Sequence, residues 1–166
     1  HINFGENKVQ EALEKWSEIK KAKPDIKLHL IGKLQTNKVK FAVQLFDYIH
    51  SVDSEKLAKK ISDEGLKLNK KIKIFIQVNI GDETQKSGIN KNELSNLVDY
   101  CLKLNLELIG LMCIPPVGCD PADYFKEMRD LNRYFHLSDL SMGMSGDYLK
   151  AVKNSGTFLR IGSSIF

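Results

Sequence analysis

Small and hydroxylated residues follow two apolar runs near the end of the chain. Ser145-Gly146-Asp147 comes after DLSMGM, and Gly162-Ser163-Ser164 begins with the last residue of TFLRIG. Such loops offer free backbone N–H groups and hydroxyls, and the first loop also opens a helix-like run, so both suit a bound phosphate. Helix capping is the alternative, because Ser145 or Asp147 can also begin that helix. The two loops predict an anion site, and capping stays open beside it.

Arg160 lies two residues before the second loop, on a predicted strand. Alternation along a strand places its side chain on the same side as Gly162. An unpaired charge inside a protein is costly, so an inward-facing arginine needs either a ligand or a partner. The sequence therefore allows two interpretations of Arg160: it faces a bound anion, or it forms a structural ion pair with Asp147 or another acid.

Further polar residues follow other apolar runs and are expected at the same edge of the fold. Glu6 and Asn7 follow the short run HINFG at the start of the chain. Gln35 and Asn37 follow LIGKL, Asp53 follows IHSV, and Asn79 lies within IFIQVNI. Several of these residues suit helix caps equally well, Asp53 and Ser54 above all. His29 and His50 lie within predicted strands, and we interpret both as structural histidines.

These residues must be positioned by a repeating pattern of strands and helices. The predicted strands are LHLIG (28–32), YIHSV (48–52), KIFIQVNI (73–80), LELIGLM (106–112), DLSMGM (139–144) and TFLRIG (157–162), after the stub HINFG. Amphipathic runs separate them; in the first, Val9, Leu13, Trp16 and Ile19 fall on one helical face. Continuous apolar strands that alternate with helices are typical of a parallel sheet covered by helices.

The pattern favours a single α/β domain over residues 1–166, namely a (β/α)8 TIM-type barrel that lacks its first β/α unit. No glycine-rich dinucleotide turn follows a strand, which disfavours a Rossmann-type open sheet. An eight-unit barrel needs about 200 residues or more, whereas this chain of 166 residues accommodates about seven parallel strands with helices outside. The chain opens on His1 without methionine and stops at Phe166 straight after a predicted strand, so both ends are expected to be truncated.

Composition argues against several classes of protein. The 25 basic residues against 21 acidic ones give a net charge of +4, and three of the basic residues are arginine, so no nucleic-acid partner is expected. Cys101, Cys113 and Cys119 have no metal-ligand spacing, so no metal site is expected. No apolar run approaches the ~20 residues of a membrane span. These features favour a cytoplasmic protein with reduced thiols.

Seven motifs together resemble one protein family across essentially the whole chain. They are FGENKVQE (4–11), HLIGKLQTNK (29–38), IHSVDS (49–54), VNIGDETQKSGI (78–89), LIGLMCIP (108–115), LSMGMSGD (140–147) and GTFLRIGSSIF (156–166). In this order they resemble the pyridoxal 5′-phosphate homeostasis proteins, the YggS/PROSC family. The resemblance implies a barrel similar to the N-terminal domain of alanine racemase, with pyridoxal phosphate bound at its C-terminal rim.

The resemblance also implies roles for individual residues. Arg160 would face the pyridine nitrogen, and Ser145, Gly162 and Ser163 would hold the phosphate, Ser163 standing where the family often has threonine. Asn7 would contact the ring side of the cofactor. Family members hold the cofactor as a Schiff base to a lysine on the first strand, in a segment like VSKT. That segment is absent from this sequence, so no catalytic residue is assigned, and no covalent adduct at a defined lysine is expected.

The leading functional hypothesis is a protein that buffers or delivers pyridoxal phosphate inside the cell without a turnover reaction. The alternatives are a pyridoxal-phosphate-dependent amino-acid racemase of the same fold, which leaves room for a weak racemase-like activity, and a barrel enzyme acting on a phosphorylated small molecule. The third class needs a rim acid or base such as Glu6 or His29. The expected partners are the small-molecule cofactor and the apo-enzymes that receive it; the chain is expected to be a monomer or a homodimer.

Overall fold

Seven parallel strands and six α-helices alternate along the chain in the computed structural model, which describes residues 1–165. The strands are β1 (Asn3–Glu6), β2 (Lys27–Leu30), β3 (Tyr48–Val52), β4 (Ile72–Gln77), β5 (Leu106–Met112), β6 (Asp139–Met144) and β7 (Phe158–Arg160). The helices are α1 (Val9–Ala22), α2 (Val39–Leu45), α3 (Glu55–Lys67), α4 (Lys91–Leu102), α5 (Ala122–Tyr134) and α6 (Tyr148–Lys153), and a 3-10 turn, Thr36–Lys38, precedes α2.

The strands pair in chain order, β1 to β7, and every pairing is parallel. The sheet also curls, because Phe158 on β7 contacts residues of β3 and β4: its ring centroid lies 5.7 Å from that of Tyr48 and 5.1 Å from that of Phe75. These strands are distant in sheet order, so only a strongly curved sheet can bring them together. The result is a nearly closed barrel with helices around it, which confirms the predicted fold class.

The apolar core lies between the outer face of the sheet and the surrounding helices. Ile72, Ile74 and Ile76 alternate along β4 into this layer and are fully buried. Ser54, predicted as a helix cap, accepts a hydrogen bond from the amide of Leu57 at the start of α3. That prediction is confirmed, and the cap fixes where β3 gives way to its helix.

One predicted helix face needs a correction. Val9 and Trp16 are buried as expected and Leu13 packs partly against the core, but Ile19 is 40% exposed and Ala12 is fully buried instead. The buried stripe of α1 is therefore rotated from Ile19 towards Ala12. No helix among the described residues combines the length and apolar composition needed to cross a membrane.

Candidate functional site

The loop after β6 takes its path from a bulge and a tightly packed glycine. The β6–β7 register shifts between Ser141 and Met144, and Gly143 in that interval has a φ of 94°. A Cβ on Gly143 would lie 2.6 Å from the Cβ of Ala151 in α6, so only glycine allows this helix to sit so close. Bulges of this kind redirect a strand at its end. The chain therefore turns sharply into Ser145-Gly146-Asp147.

The loops after β6 and β7 meet at the rim. The amide of Gly162 donates a hydrogen bond of 3.3 Å to the Ser145 hydroxyl. The amides of Ser145, Gly146 and Ser163 form no hydrogen bond with another described residue. Ser163 is exposed beside Gly162. The structure thus brings together the two loops that the sequence singled out, with backbone donors still available.

Helix capping does not explain this loop. Asp147 occupies the position before α6, but its side chain makes no cap; its Oδ1 accepts a 2.6 Å hydrogen bond from the amide of Met144. The Asp147 carboxylate therefore holds the turn itself. The helix that follows has only six residues, which is too short for its N-terminus alone to make an anion site. Any anion affinity must come from the loop amides, the hydroxyls and Arg160.

Arg160 lies at the end of β7 and points into the barrel towards β5 and β6. One terminal nitrogen donates to the Ser141 hydroxyl at 2.7 Å, and the other donates to the backbone carbonyl of Cys113 at 2.8 Å. Among the described residues no carboxylate forms an ion pair with this guanidinium. The interpretation of Arg160 as half of an ion pair with Asp147 is therefore wrong.

The electrostatics of this position favour an electron-rich ligand. Burial lowers the pKa of Arg160 from its ordinary value, although arginine stays protonated in proteins. Both of its hydrogen-bond partners are neutral acceptors, and the Asp147 carboxylate favours the charged form from a distance without forming an ion pair with it. A phosphate or a basic ring nitrogen at this rim would provide the missing partner.

Asn7 also lies at the rim, directly after β1, and its side chain is exposed. A Cβ on Gly32 would lie 2.2 Å from the backbone oxygen of Asn7, so the turns after β1 and β2 pack tightly. No hydrogen bond between described residues links the Asn7 side chain to Ser145, Gly162 or Arg160. Asn7 therefore lies at the same rim as the other predicted site residues without a hydrogen bond to Ser145, Gly162 or Arg160.

Sequence reasoning missed the residues that hold Arg160. Ser141 is fully buried on β6, and its hydroxyl also lies 2.8 Å from Nδ1 of His50. The Cys113 carbonyl comes 47 residues before Arg160 in the chain. The one available signal was alternation: His50 and Ser141 stand in predicted strands at positions that allow an inward side chain. Their contact depends on the closure of the barrel, which spacing along the chain does not reveal.

The rim acid and base considered for a phosphate-ester enzyme are both engaged elsewhere. Glu6 accepts hydrogen bonds from the Trp16 indole at 2.6 Å and from Lys15 at 2.9 Å, which hold it against α1. His29 lies inside the barrel, and burial lowers its pKa to about 4. Neither group is placed to exchange a proton with a ligand at the loops after β6 and β7.

A nearly closed barrel of parallel strands with a polar C-terminal rim defines the class of protein, and comparison with known proteins specifies it. The family model described as "Alanine racemase, N-terminal domain" matches residues 2–166. The chain is 40% identical to a pyridoxal phosphate homeostasis protein of Aquifex aeolicus, over 98% of this chain and 75% of the relative. It is 38% identical to one of Vibrio cholerae, over 98% and 74%.

A solved structure agrees with this result. PipY of Synechococcus elongatus, whose structure has PLP bound, is 35% identical, with a TM-score of 0.86, over 98% of this chain and 80% of PipY. The barrel and the family match place the chain in the alanine racemase N-terminal domain class. Within that class, the chain belongs to the family of pyridoxal phosphate homeostasis proteins. The resemblance seen in the sequence motifs is confirmed.

Proposed function

We propose that this protein binds pyridoxal 5′-phosphate at the C-terminal rim of its barrel and serves the homeostasis of that cofactor by buffering or delivering it. The relatives are named for this role, and PipY has been solved with PLP bound. The observation that carries the proposal is Arg160. It is a cation fixed by two neutral acceptors beside two joined loops with available amides.

The residues present fit the chemistry of the cofactor. Ser145, Gly162 and Ser163 would hold the phosphate through hydroxyl and backbone N–H donors, since a phosphate accepts several hydrogen bonds at once. Arg160 would face the ring nitrogen, and Asn7 would approach the ring from the β1 side of the rim. When bound, the cofactor supplies a conjugated pyridine ring that can accept electron density.

We propose further that binding, and not turnover, is the function. A guanidinium beside the ring nitrogen disfavours protonation of that nitrogen, because like charges repel. An unprotonated pyridine accepts electrons less readily, which restrains the chemistry of the cofactor. In support, Glu6 and His29, the acid and base considered at this rim, are engaged in other contacts.

The recipients of the cofactor would be apo-enzymes that require pyridoxal phosphate. We place this exchange in the cytoplasm, a reducing compartment that would keep the three free cysteines as thiols.

A transfer assay, in which the loaded protein activates a purified apo-enzyme in the presence of a trap for free cofactor, tests delivery directly. If the apo-enzyme is activated only as fast as the protein releases free cofactor into solution, direct delivery is contradicted and buffering is the remaining role.

Calorimetric titration tests the proposed ligand. Pyridoxal phosphate should bind with a stoichiometry near one, and pyridoxal, which lacks the phosphate, should bind at least about 100-fold more weakly, because several charge-assisted hydrogen bonds are lost. Equal affinity for the two compounds would contradict a phosphate site at the joined loops. Absence of binding would contradict the proposed function.

A matched pair of serine variants locates the site. Ser145→Ala should weaken pyridoxal phosphate binding about fivefold, as expected for one hydrogen bond. Ser95→Ala makes the same change on the exposed face of α4 and should leave the affinity unchanged. Equal affinities for both variants would remove Ser145 from the site.

A further inference from the structure

A chain of polar side chains crosses the barrel interior and ends at Arg160. Its first member, Asn3, lies at the start of β1, with its Oδ1 3.1 Å from His29 Nε2. His29 Nδ1 lies 3.0 Å from His50 Nε2, and His50 Nδ1 lies 2.8 Å from the Ser141 hydroxyl. Ser141 accepts from Arg160 at 2.7 Å. Residues of β1, β2, β3, β6 and β7 are therefore joined by one continuous path.

Chemistry fixes the direction of every bond in this path. The Asn3 oxygen can only accept, so His29 donates from Nε2, and a neutral His29 then accepts at Nδ1. His50 must donate from Nε2 to His29, and it accepts at Nδ1 from the Ser141 hydroxyl. From the other end, arginine can only donate, and a Ser141 hydroxyl that accepts from Arg160 keeps its own proton for Nδ1 of His50. The Asn3 end sets the direction, and the arginine end is compatible with it.

The members between Asn3 and Arg160 carry no charge at neutral pH. Burial lowers the pKa of His29 to about 4. Burial, together with the nearby His29 and Arg160, lowers the pKa of His50 well below its ordinary value. An acidic residue in place of Ser141 would also orient the guanidinium, but its negative charge would cancel the positive charge of Arg160. A serine backed by neutral imidazoles orients Arg160 and adds no negative charge of its own.

Aromatic packing holds the imidazoles in this geometry. The His29 ring stacks on Tyr48, with centroids 4.2 Å apart and planes 10° from parallel. The His50 ring stacks on Phe75, with centroids 4.3 Å apart and planes at 21°. Both ring planes are thereby fixed, so the nitrogens stay aimed along the path.

We propose that Asn3, His29, His50 and Ser141 are positioning residues for Arg160. Their one-way hydrogen-bond chain fixes the guanidinium at the rim without neutralising it, and so keeps the ring nitrogen of a bound pyridoxal phosphate unprotonated. The effect on the ring nitrogen rests on the proposed function, whereas the effect on Arg160 exists in the ligand-free protein. A plain packing role for the histidines predicts neither effect.

Nuclear magnetic resonance of the ligand-free protein tests the chain itself. Long-range ¹H–¹⁵N spectra should show His29 and His50 both as neutral Nε2–H tautomers at neutral pH. A proton on Nδ1 of either residue would overturn the proposal. This result does not depend on cofactor binding, so it separates the failure of this proposal from the failure of the proposed function.

A matched pair of variants tests the coupling to Arg160. Ser141→Ala should shift the Arg160 guanidinium signals and speed their hydrogen exchange at least about fivefold, as expected for one lost hydrogen bond. Ser51→Ala is the control, because the Ser51 hydroxyl is buried on β3 and has no hydrogen-bond partner among the described residues. Arg160 signals that stay unchanged in Ser141→Ala, or that change equally in both variants, would overturn the proposal.

The ring nitrogen of ¹⁵N-labelled pyridoxal phosphate gives the second readout. Bound to the unmodified protein, its shift should be that of an unprotonated pyridine, and Ser141→Ala should move it towards the protonated value at the same pH. A ring nitrogen that is protonated in both proteins would contradict the tuning role. If the labelled cofactor does not bind the unmodified protein, the proposed function is contradicted. The positioning role is then tested by the tautomers of His29 and His50 in the ligand-free protein.

Discussion

The two faces of the barrel sheet differ in what they contain. The outer face meets the helices through aliphatic and aromatic side chains that are almost completely buried, such as Ile74 and Phe125. The inner face holds stacked rings and a chain of neutral polar groups that ends at Arg160. Burial of apolar area stabilises the fold, so the outer face should govern stability. The inner face and its rim should govern ligand binding.

The largest expected effect tests the outer face. Phe125→Ala removes a fully buried ring of α5 and should lower the free energy of unfolding by about 3–5 kcal/mol, because apolar contacts are lost and a cavity remains. Chemical denaturation measures this loss. Under conditions where the variant is folded, its affinity for pyridoxal phosphate should match that of the unmodified protein. A large loss of affinity in the folded variant would contradict the assignment of stability to the outer face and of ligand binding to the inner face.

The next effect tests the rim. Arg160→Ala should weaken pyridoxal phosphate binding about 10- to 100-fold, because a charge-assisted contact is lost. Calorimetry measures the change. Arg133→Ala, which removes the same charge from the exposed face of α5, is the control and should bind normally. If Arg160→Ala lost most of its stability but kept its affinity, Arg160 would be a structural residue only.

Acidification should act through the inner face. The pKa of His29 is about 4 in the folded protein and about 6.5 when unfolded, so the unfolded chain binds more protons between these values. Stability is therefore fully present above pH ~6.5 and falls as the pH drops towards ~4. For His29 the loss between pH ~7.5 and ~5 is about 2 kcal/mol, and the lowered pKa of His50 adds in the same direction.

Denaturation of two matched variants tests whether His29 causes this loss of stability at low pH. His29→Asn should reduce the dependence of stability on pH in this window, because the buried titrating group is gone. His136→Asn makes the same substitution at an exposed loop position and should retain the dependence. Identical pH profiles for the two variants would show that His29 is not the source.

The smallest effect concerns the helix layer. Ser54→Ala removes the side-chain cap of α3 and should lower the free energy of unfolding by about 1 kcal/mol. Ligand affinity should not change, because this cap serves the outer layer. Denaturation and calorimetry on the same sample measure both quantities, and a change in affinity larger than the change in stability would contradict the assignment.

The sequence predicted the fold well because the relevant signals are local. The isoleucines of β4 alternate in one strand, and Ser54 stands directly before its helix. The two rim loops were also visible as small residues after strands. The helix-like run after the first loop was also visible, and α6 ends where the Gly156 amide bonds back to the Ala151 carbonyl.

The partners of Arg160 could not be predicted from spacing. An acid was one of the expected partners, but the structure provides Ser141 and a carbonyl of Cys113. These contacts exist because the curved sheet brings Ser141 on β6 and the Cys113 carbonyl after β5 within reach of Arg160 on β7. His29 and His50 were recognised as structural, yet their order in one path depends on barrel closure, which joins positions 91 residues apart.

The rim site can be mapped directly by following backbone amide signals while pyridoxal phosphate is added. The largest shifts should fall on Ser145, Gly146, Gly162 and Ser163, with a smaller shift at Asn7 across the rim. Amides of α5, such as those near Tyr134, should stay unchanged. Shifts that gather on the helix layer, or that avoid the loops after β6 and β7, would contradict a cofactor site at this rim.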